Sequence, residues 1–215
     1  KILTANGNEV SFWNKKEQID PQDLVLIAIP TQAIRSVFKN FGRNLKNAVI
    51  VNCAKGIEKG SQKLPWEITK EVLGSGIEYF TLIGPSFAKE VDRQMPTLVN
   101  LGGANGRAKK IGNLFETDYF RVRPTRSVGA LELAGALKNV YAIACGVADG
   151  LGFAENTRAK IVTVAYDEFQ KLAKSLNDYS RRVGFRRAGA SRQAPRHAAP
   201  PARDLRLSRR RSLHR

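Results

Sequence analysis

The sequence is poor in cysteine and in long apolar runs. Only two of its 215 residues are cysteines, Cys53 and Cys145, and they lie far apart without a C-x-x-C pair. This gives no support to a disulfide framework or a cysteine zinc site, and it favours a reducing, cytoplasmic compartment. No apolar run approaches the roughly 20 residues that cross a bilayer. No charged and then apolar leader opens the chain, so neither a membrane span nor a secreted precursor is expected.

Histidine is absent from the first 178 residues, because both histidines, His197 and His214, lie near the C-terminus. Ser-His-Asp and Cys-His nucleophilic sites are therefore excluded from the body of the chain, and so are histidine-containing zinc sites. No metal site is expected. Proton transfer in the body must rely on lysine, aspartate, glutamate, tyrosine or cysteine.

Acidic residues almost vanish from residues 179–215, which contain 12 arginines, no lysine and one acid, Asp204. The few large apolar side chains there cannot offset the entropy of ordering the chain, so we expect a disordered basic tail. An alternative, non-enzymatic function is binding of RNA, DNA or an anionic membrane surface through these arginines, with the body as a scaffold. Because Phe185 is the one aromatic residue after Tyr179, base stacking has little support and a nucleic acid partner is not expected.

Strand and helix patterns alternate in the first half of the chain. Strands are predicted at 8–13, 23–30, 48–54, 79–83 and 97–101. Helices are predicted at 1–5, 31–41, 65–73, 86–91 and 107–115. The uninterrupted apolar runs at 23–30 and 48–54 are typical of strands that are covered on both faces of a parallel sheet. The alternation predicts an α/β fold whose parallel strands are joined by crossover helices.

After Arg126 the pattern becomes purely helical. Residues 127–149 form one long helical pattern rich in glycine and alanine, and Asn156 is a suitable cap for a second helix that reaches Leu176. This predicts the start of an all-α domain. The small residues would let a neighbouring helix or a ligand approach the backbone closely, and helix packing is the simpler of the two explanations.

Three loops follow the predicted ends of strands, where open α/β sheets bind their ligands. They begin at Pro30, at Lys55 and at Gly84, and the third continues through Ser86 into a predicted helix. Free N–H groups at a helix start favour an anion, and Lys55 adds a cation, which together suit a phosphate or a carboxylate. A solvated loop lysine and a serine that only caps its helix explain the same residues without a ligand.

Lys138 lies in an otherwise small and apolar helical stretch, where a charge is costly unless the helix lines a cleft. A lysine that extends its ammonium to solvent at the margin of the helix is the competing explanation. Glu132, six positions earlier, is not on the same helical face, so the sequence indicates no carboxylate partner.

Four segments in order resemble the bacterial-type NAD(P)-dependent glycerol-3-phosphate dehydrogenases. They are DLVLIAIP at 23–30, CAKGIE at 53–58, GPSFAKEV at 84–91 and ELAGALKNVYAIACGVADGLG at 132–152, followed by NTRA at 156–159. The resemblance runs from about Glu9 to Leu176. It implies a Rossmann domain, a helical domain of the 6-phosphogluconate dehydrogenase type, and the reversible reduction of dihydroxyacetone phosphate to sn-glycerol 3-phosphate for phospholipid synthesis.

The resemblance also implies roles for individual residues. Lys138 matches the family's catalytic lysine, which handles the proton. Substrate contacts are implied for Lys55, Gly84, Ser86, Lys138 and Asn139. Contacts to the cofactor, NAD or NADP, are implied for Asn14, Lys15, Pro30, Lys55 and Ala88. A small phosphorylated substrate and, for a complete protein, a homodimer are further implications.

The chain departs from the family pattern in three places. The glycine fingerprint that cradles the pyrophosphate is missing, only nine residues separate Trp13 from Asp23, and no substrate-binding Asp or Arg-Asn pair follows Leu176. We expect an incomplete Rossmann domain at 1–125, the start of the helical domain at 126–178 and the tail at 179–215. The activity of this chain alone stays open, as does an alternative function as a related Rossmann reductase of another small acid.

The sequence after Trp13 generates a prediction about the cofactor. NAD-specific Rossmann folds place an acidic residue near this strand end, whereas this chain has Asn14, Lys15 and Lys16, whose cations can meet a 2'-phosphate. We expect a full-length relative with the same three residues to use NADPH at least as well as NADH. Steady-state kinetics with both cofactors measure this, and a large preference for NADH would show that the lysines are solvated.

Overall fold

A single five-stranded sheet forms the centre of the protein, seen in a computed structural model that describes residues 1–12, 24–45, 48–103 and 107–182. The strands, which lie side by side in chain order, are β1 (Leu24–Ile27), β2 (Val49–Asn52), β3 (Glu78–Ile83), β4 (Thr97–Gly103) and β5 (Phe120–Thr125). β1, β2 and β3 pair in parallel, so their carboxyl ends meet at one edge of the sheet. The predicted α/β fold is confirmed.

Helices cover both faces of this sheet and then continue alone. They are α1 (Ile2–Ala5), α2 (Thr31–Phe41), α3 (Pro65–Leu73), α4 (Ala88–Asp92), α5 (Arg107–Asn113), α6 (Val128–Gly150) and α7 (Glu155–Arg182). β5 ends and α6 begins close to the predicted division after residue 125, although the division into domains itself stays a prediction. The predicted change from α/β to all-α structure is confirmed.

The sheet is not parallel throughout, because β4 pairs with β3 in the antiparallel sense and β5 is parallel to β4. The expected crossover between β3 and β4 fails because α4 has five residues and rises only ~7.5 Å, which is too short to return along a strand. Strand β5 was not predicted, although its signal was the alternation of buried Phe120 and Val122 with exposed Arg121 and Arg123.

Four predicted boundaries need correction. No strand forms at residues 8–12, where Val10 and Phe12 are exposed and no neighbouring strand offers a ladder, and Trp13 lies outside the described residues. Asn156 does not cap α7, since that helix begins at Glu155. Helix α7 ends at Arg182, four residues into the segment predicted as a disordered tail, so those four residues are helical. The helix predicted at 86–91 begins two residues later, at Ala88, so Ser86 lies in the loop before it.

Two hydrophobic cores stabilise the sheet, one on each face. Alternate residues of β2 point to opposite sides: Ile50 joins the core beneath α2 and α3, whereas Val49 and Val51 join the core beneath α5. Phe80 and Leu101 are fully buried in the second core. This two-sided burial explains the uninterrupted apolar runs in the sequence.

The start of α6 packs on the sheet through a buried carboxylate. Glu132 is fully buried and accepts hydrogen bonds from Asn52 of β2, Tyr79 of β3 and the backbone N–H of Trp66 in α3. By length and composition alone α6 could cross a membrane, which the sequence analysis did not anticipate. In the described part of the chain it contacts β3, β4, α3 and α7.

The buried carboxylate generates a prediction about stability. Burial raises the pKa of Glu132 from 4.5 to about 7, although the hydrogen bonds that it accepts oppose this. Because the pKa is higher in the folded state, the stability that protonation contributes is full below pH 4.5 and is lost as the pH rises through 7. We expect the free energy of unfolding to fall by about 3 kcal/mol across this range relative to Glu132→Gln, which does not titrate.

Urea denaturation of both proteins at several pH values measures this difference, since both share every other titrating group. Parallel pH profiles for the two proteins would contradict the assignment of the slope to Glu132.

Candidate active site

Lys55 lies just past the end of β2, at the edge where the three parallel strands end. Its side chain is half-buried against α6. Burial, followed by the nearby Lys138 ammonium, lowers the pKa of Lys55. Lys55 is therefore a partly desolvated cation with a second cation beside it, an arrangement that favours binding of an anion.

The loop that carries Lys55 is held rigidly from the side of α2. Arg35 donates from Nε to Oε1 of Glu58 at 2.9 Å and from Nη2 to Oε2 at 2.8 Å. Gln32 donates to the carbonyl oxygen of Ile57 at 2.8 Å and accepts from the backbone N–H of Lys59 at 2.9 Å. These bonds join α2, which begins directly after Pro30, to the loop after β2 that carries Lys55.

Lys138 lies on the exposed side of α6 and reaches over the loop that follows β3. Its Nζ is 5.6 Å from the centroid of the Phe87 ring, within the range of a cation–π contact. The Phe87 side chain is itself 65% exposed, so the lysine and the ring both border open space. Its exposure fits the alternative of a lysine that extends to solvent, and its charge also lies close enough to Lys55 to lower the pKa of that lysine.

The loop after β3 passes very close to β4 at Gly84. A Cβ at this position would lie 2.7 Å from the Cα of Val99, so no larger residue fits there. Ser86 is exposed, and its Oγ lies 3.5 Å from the carbonyl oxygen of Gly84. Because α4 begins only at Ala88 and is short, the expected anion site at a helix start is not built as predicted, although the loop still lies at the same edge.

The structure therefore brings together most of the predicted site residues. Those placed at this edge of the sheet or on the helix that packs against it are Pro30, Lys55, Gly84, Ser86, Ala88 and Lys138, and Asn139 follows Lys138 on that helix. Asn139 is exposed next to Lys138, and Ala88 is exposed at the first turn of α4. Asn14 and Lys15 lie outside the described residues.

Sequence reasoning missed Glu132, Asn52 and Phe87. Glu132 was set aside because it does not share a face with Lys138, although a carboxylate in an otherwise apolar helix was the available signal. Asn52 ends a buried strand, where a polar residue also stands out, and is fully buried. The ring of Phe87 gave no sequence signal, because its role depends on a lysine that lies 51 positions away.

Other chemistry finds little support in the described ranges. No cluster of three or more His, Cys, Asp or Glu residues there is arranged to hold a metal ion. Both cysteines are free, and burial raises the pKa of Cys53 to about 11, so its thiol stays protonated at neutral pH. The site is a cationic edge with two lysines and no histidine.

One buried polar atom is consistent with a further ligand at this edge. Thr31 is the first residue of α2, directly after Pro30, and its buried Oγ1 has no hydrogen-bond partner within the described part of the chain. Buried hydroxyl groups are normally paired. The atom lies beside Gly56, whose added Cβ would approach it to 3.2 Å. A polar group of a bound cofactor at the end of β1 would satisfy it.

Comparison with known proteins finds similarity to one family of dehydrogenases along most of the chain. The N-terminal part of the NAD-dependent glycerol-3-phosphate dehydrogenase family matches residues 8–108, and the C-terminal part matches residues 128–190. A glycerol-3-phosphate dehydrogenase, NAD(P)+, of Clostridium botulinum is 34% identical over 178 residues, which are 82% of this chain and 53% of the relative. The corresponding protein of a Thermotoga species is 41% identical over 192 residues, with 76% and 58% covered.

Solved structures agree with this comparison. The crystal structure of glycerol-3-phosphate dehydrogenase from Coxiella burnetii superposes with a TM-score of 0.65 at 31% identity, over 72% of this chain and 47% of that one. The chain thus spans about half the length of the relatives that it matches. Both parts of the family match in order, over the greater part of the sequence, and the chain belongs to the NAD-dependent glycerol-3-phosphate dehydrogenase family.

Proposed function

We propose that this chain carries part of the active site of an enzyme that interconverts sn-glycerol 3-phosphate and dihydroxyacetone phosphate with NAD(P), and so supplies glycerophospholipid synthesis. The observation that carries the proposal is the pair of cations, Lys55 and Lys138, at the carboxyl edge of the sheet. Two ammonium groups repel each other unless an anion lies between them, and the phosphorylated substrate supplies that anion.

In this proposal Lys138 transfers the proton and Lys55 binds the substrate. Lys138 holds the proton that the carbonyl oxygen of the substrate needs when it becomes an alkoxide, and it returns to the protonated state in the reverse direction. Its positive charge stabilises the developing negative charge, which is strongest in the transition state. Lys55, Gly84, Ser86 and Asn139 bind and orient the substrate around it.

The cofactor is proposed to lie along the same edge. Pro30, Lys55 and Ala88 would hold it, with Asn14 and Lys15 at the adenosine end, and the unsatisfied Thr31 hydroxyl supports a polar group there. When bound, NAD(P) supplies or accepts the hydride.

A cytoplasmic location and a homodimer are part of the proposal. The two free cysteines and the absence of C-x-x-C pairs fit a cytoplasmic protein. The family resemblance supports a homodimer for a protein of full length. No nucleic acid partner is proposed.

The cation pair generates a prediction about substrate binding. We expect glycerol 3-phosphate to bind the wild-type chain and to bind Lys55→Met about tenfold more weakly or worse, because each charge-assisted hydrogen bond contributes about 1.5–3 kcal/mol. Titration followed by NMR measures the affinities. Lys110→Met is the matched control, because this exposed lysine lies on α5, remote from the site. Equal affinities for the wild type and both variants would refute the proposed anion site.

Turnover tests the role of Lys138. In a chain extended to the full length of its relatives, Lys138→Met keeps the apolar stem and removes the charge, so the cofactor should bind normally. We expect turnover to fall by roughly 10²- to 10⁴-fold, as is typical of losing a general acid or base. Stopped-flow or steady-state rates with dihydroxyacetone phosphate measure it. A loss of only a few-fold, accompanied by a destabilised fold, would assign Lys138 a structural role.

A further inference from the structure

The buried carboxylate of Glu132 is contacted from three separate elements of the sheet domain. Its Oε1 accepts from Asn52 Nδ2 at 3.0 Å and from the Tyr79 hydroxyl, and its Oε2 accepts from the backbone N–H of Trp66 at 2.9 Å. Trp66 is in the first turn of α3, where free N–H groups and the helix dipole favour a negative charge. Glu132 thus fixes one turn of α6 relative to β2, β3 and α3.

Asn52 extends this connection to the loop that carries Lys55. The same side chain that donates to Glu132 donates to the carbonyl oxygen of Ala54 at 3.1 Å and accepts from its backbone N–H at 2.9 Å. Ala54 directly precedes Lys55. A continuous set of hydrogen bonds therefore leads from the side chain of Glu132 in α6, through Asn52, to the backbone of Ala54. All three residues are buried.

The helix also contacts the lysine directly. Gly135, one turn after Glu132, brings the backbone of α6 against the loop, because a Cβ there would lie 3.1 Å from Ile83 Cδ1 and 3.5 Å from Lys55 Cγ. Lys138 follows one turn further on. A slip of one residue along α6 would rotate Lys138 by about 100° and move it by about 1.5 Å, so the register of this helix decides where its ammonium lies.

We infer that Glu132 is a positioning residue, which locks the register of α6 against the Asn52–Ala54 turn and so fixes Lys138 beside Lys55. This inference rests on the proposed function, in which the two lysines bind one substrate. Glu132 itself touches neither lysine. Its effect on the reaction passes through the helix and the loop that it joins.

The test measures how strongly the two lysines influence each other in the free chain. NMR of lysine side chains labelled at Cε gives the pKa of Lys55, whose signal is identified by its loss in Lys55→Met. In the otherwise wild-type chain, Lys138→Met should raise the pKa of Lys55, because a neighbouring positive charge is removed. The measurement is repeated in the Glu132→Ala, Asn52→Ala and Ile111→Ala backgrounds.

We expect the increase in the pKa of Lys55 that Lys138→Met causes to be largely lost in the Glu132→Ala and Asn52→Ala backgrounds. It should persist in the Ile111→Ala background. Ile111 is buried in the other core, so its loss destabilises the fold without touching the connection. A rise that persists with Glu132→Ala, or that disappears in all three backgrounds, would overturn the inference and leave Glu132 a structural role. If Glu132→Ala does not fold, Asn52→Ala decides.

This test separates the inference from the proposed function, because no substrate or cofactor is present. Loss of coupling together with unchanged binding of glycerol 3-phosphate to Lys55→Met would support the positioning role and refute the function. If Lys138→Met does not raise the pKa of Lys55 in the otherwise wild-type chain, the inference is overturned. The titration with glycerol 3-phosphate would still decide the proposed function.

Discussion

The carboxylate of Glu132, buried between α6 and the sheet, is the interaction on which the arrangement of the site depends. An isolated buried charge is costly, and here donors from β2, β3 and α3 offset that cost only if α6 holds one register. Apolar contacts alone would tolerate several registers, because α6 is rich in small residues. The carboxylate therefore selects one of them.

The consequence of that register is a pair of cations at one edge of the sheet. Lys55 extends from a loop that Arg35 and Gln32 tie to α2, and Lys138 extends from the helix that Glu132 ties to β2. Bringing two like charges together is unfavourable in the free protein, and this unfavourable energy is relieved when an anion binds. A site of this kind is arranged before its ligand arrives, which is the condition for electrostatic stabilisation of a transition state.

The sequence predicted the parts of this structure that depend on local patterns. The apolar runs of β1 and β2, the helix that begins at Thr31 and the long helix after Ser127 were all found, because their periodicity and end signals are local. Lys55 was singled out because it follows a predicted strand and Lys138 because it lies in an apolar helical stretch, whereas the roles that the family resemblance gave them stay predictions. The antiparallel β4 and the network around Glu132 were not predicted, because they depend on which strand lies beside which and on contacts between residues as many as 80 positions apart.

The central claim is that Lys55 and Lys138 face one anion site, and chemical cross-linking tests it most directly. A short bifunctional amine reagent, followed by proteolysis and mass spectrometry, should join the peptides that contain these two lysines. Glycerol 3-phosphate should suppress this cross-link, whereas glycerol at the same concentration should not. A cross-link that fails to form in the folded chain, or one that glycerol 3-phosphate leaves unchanged, would contradict the account.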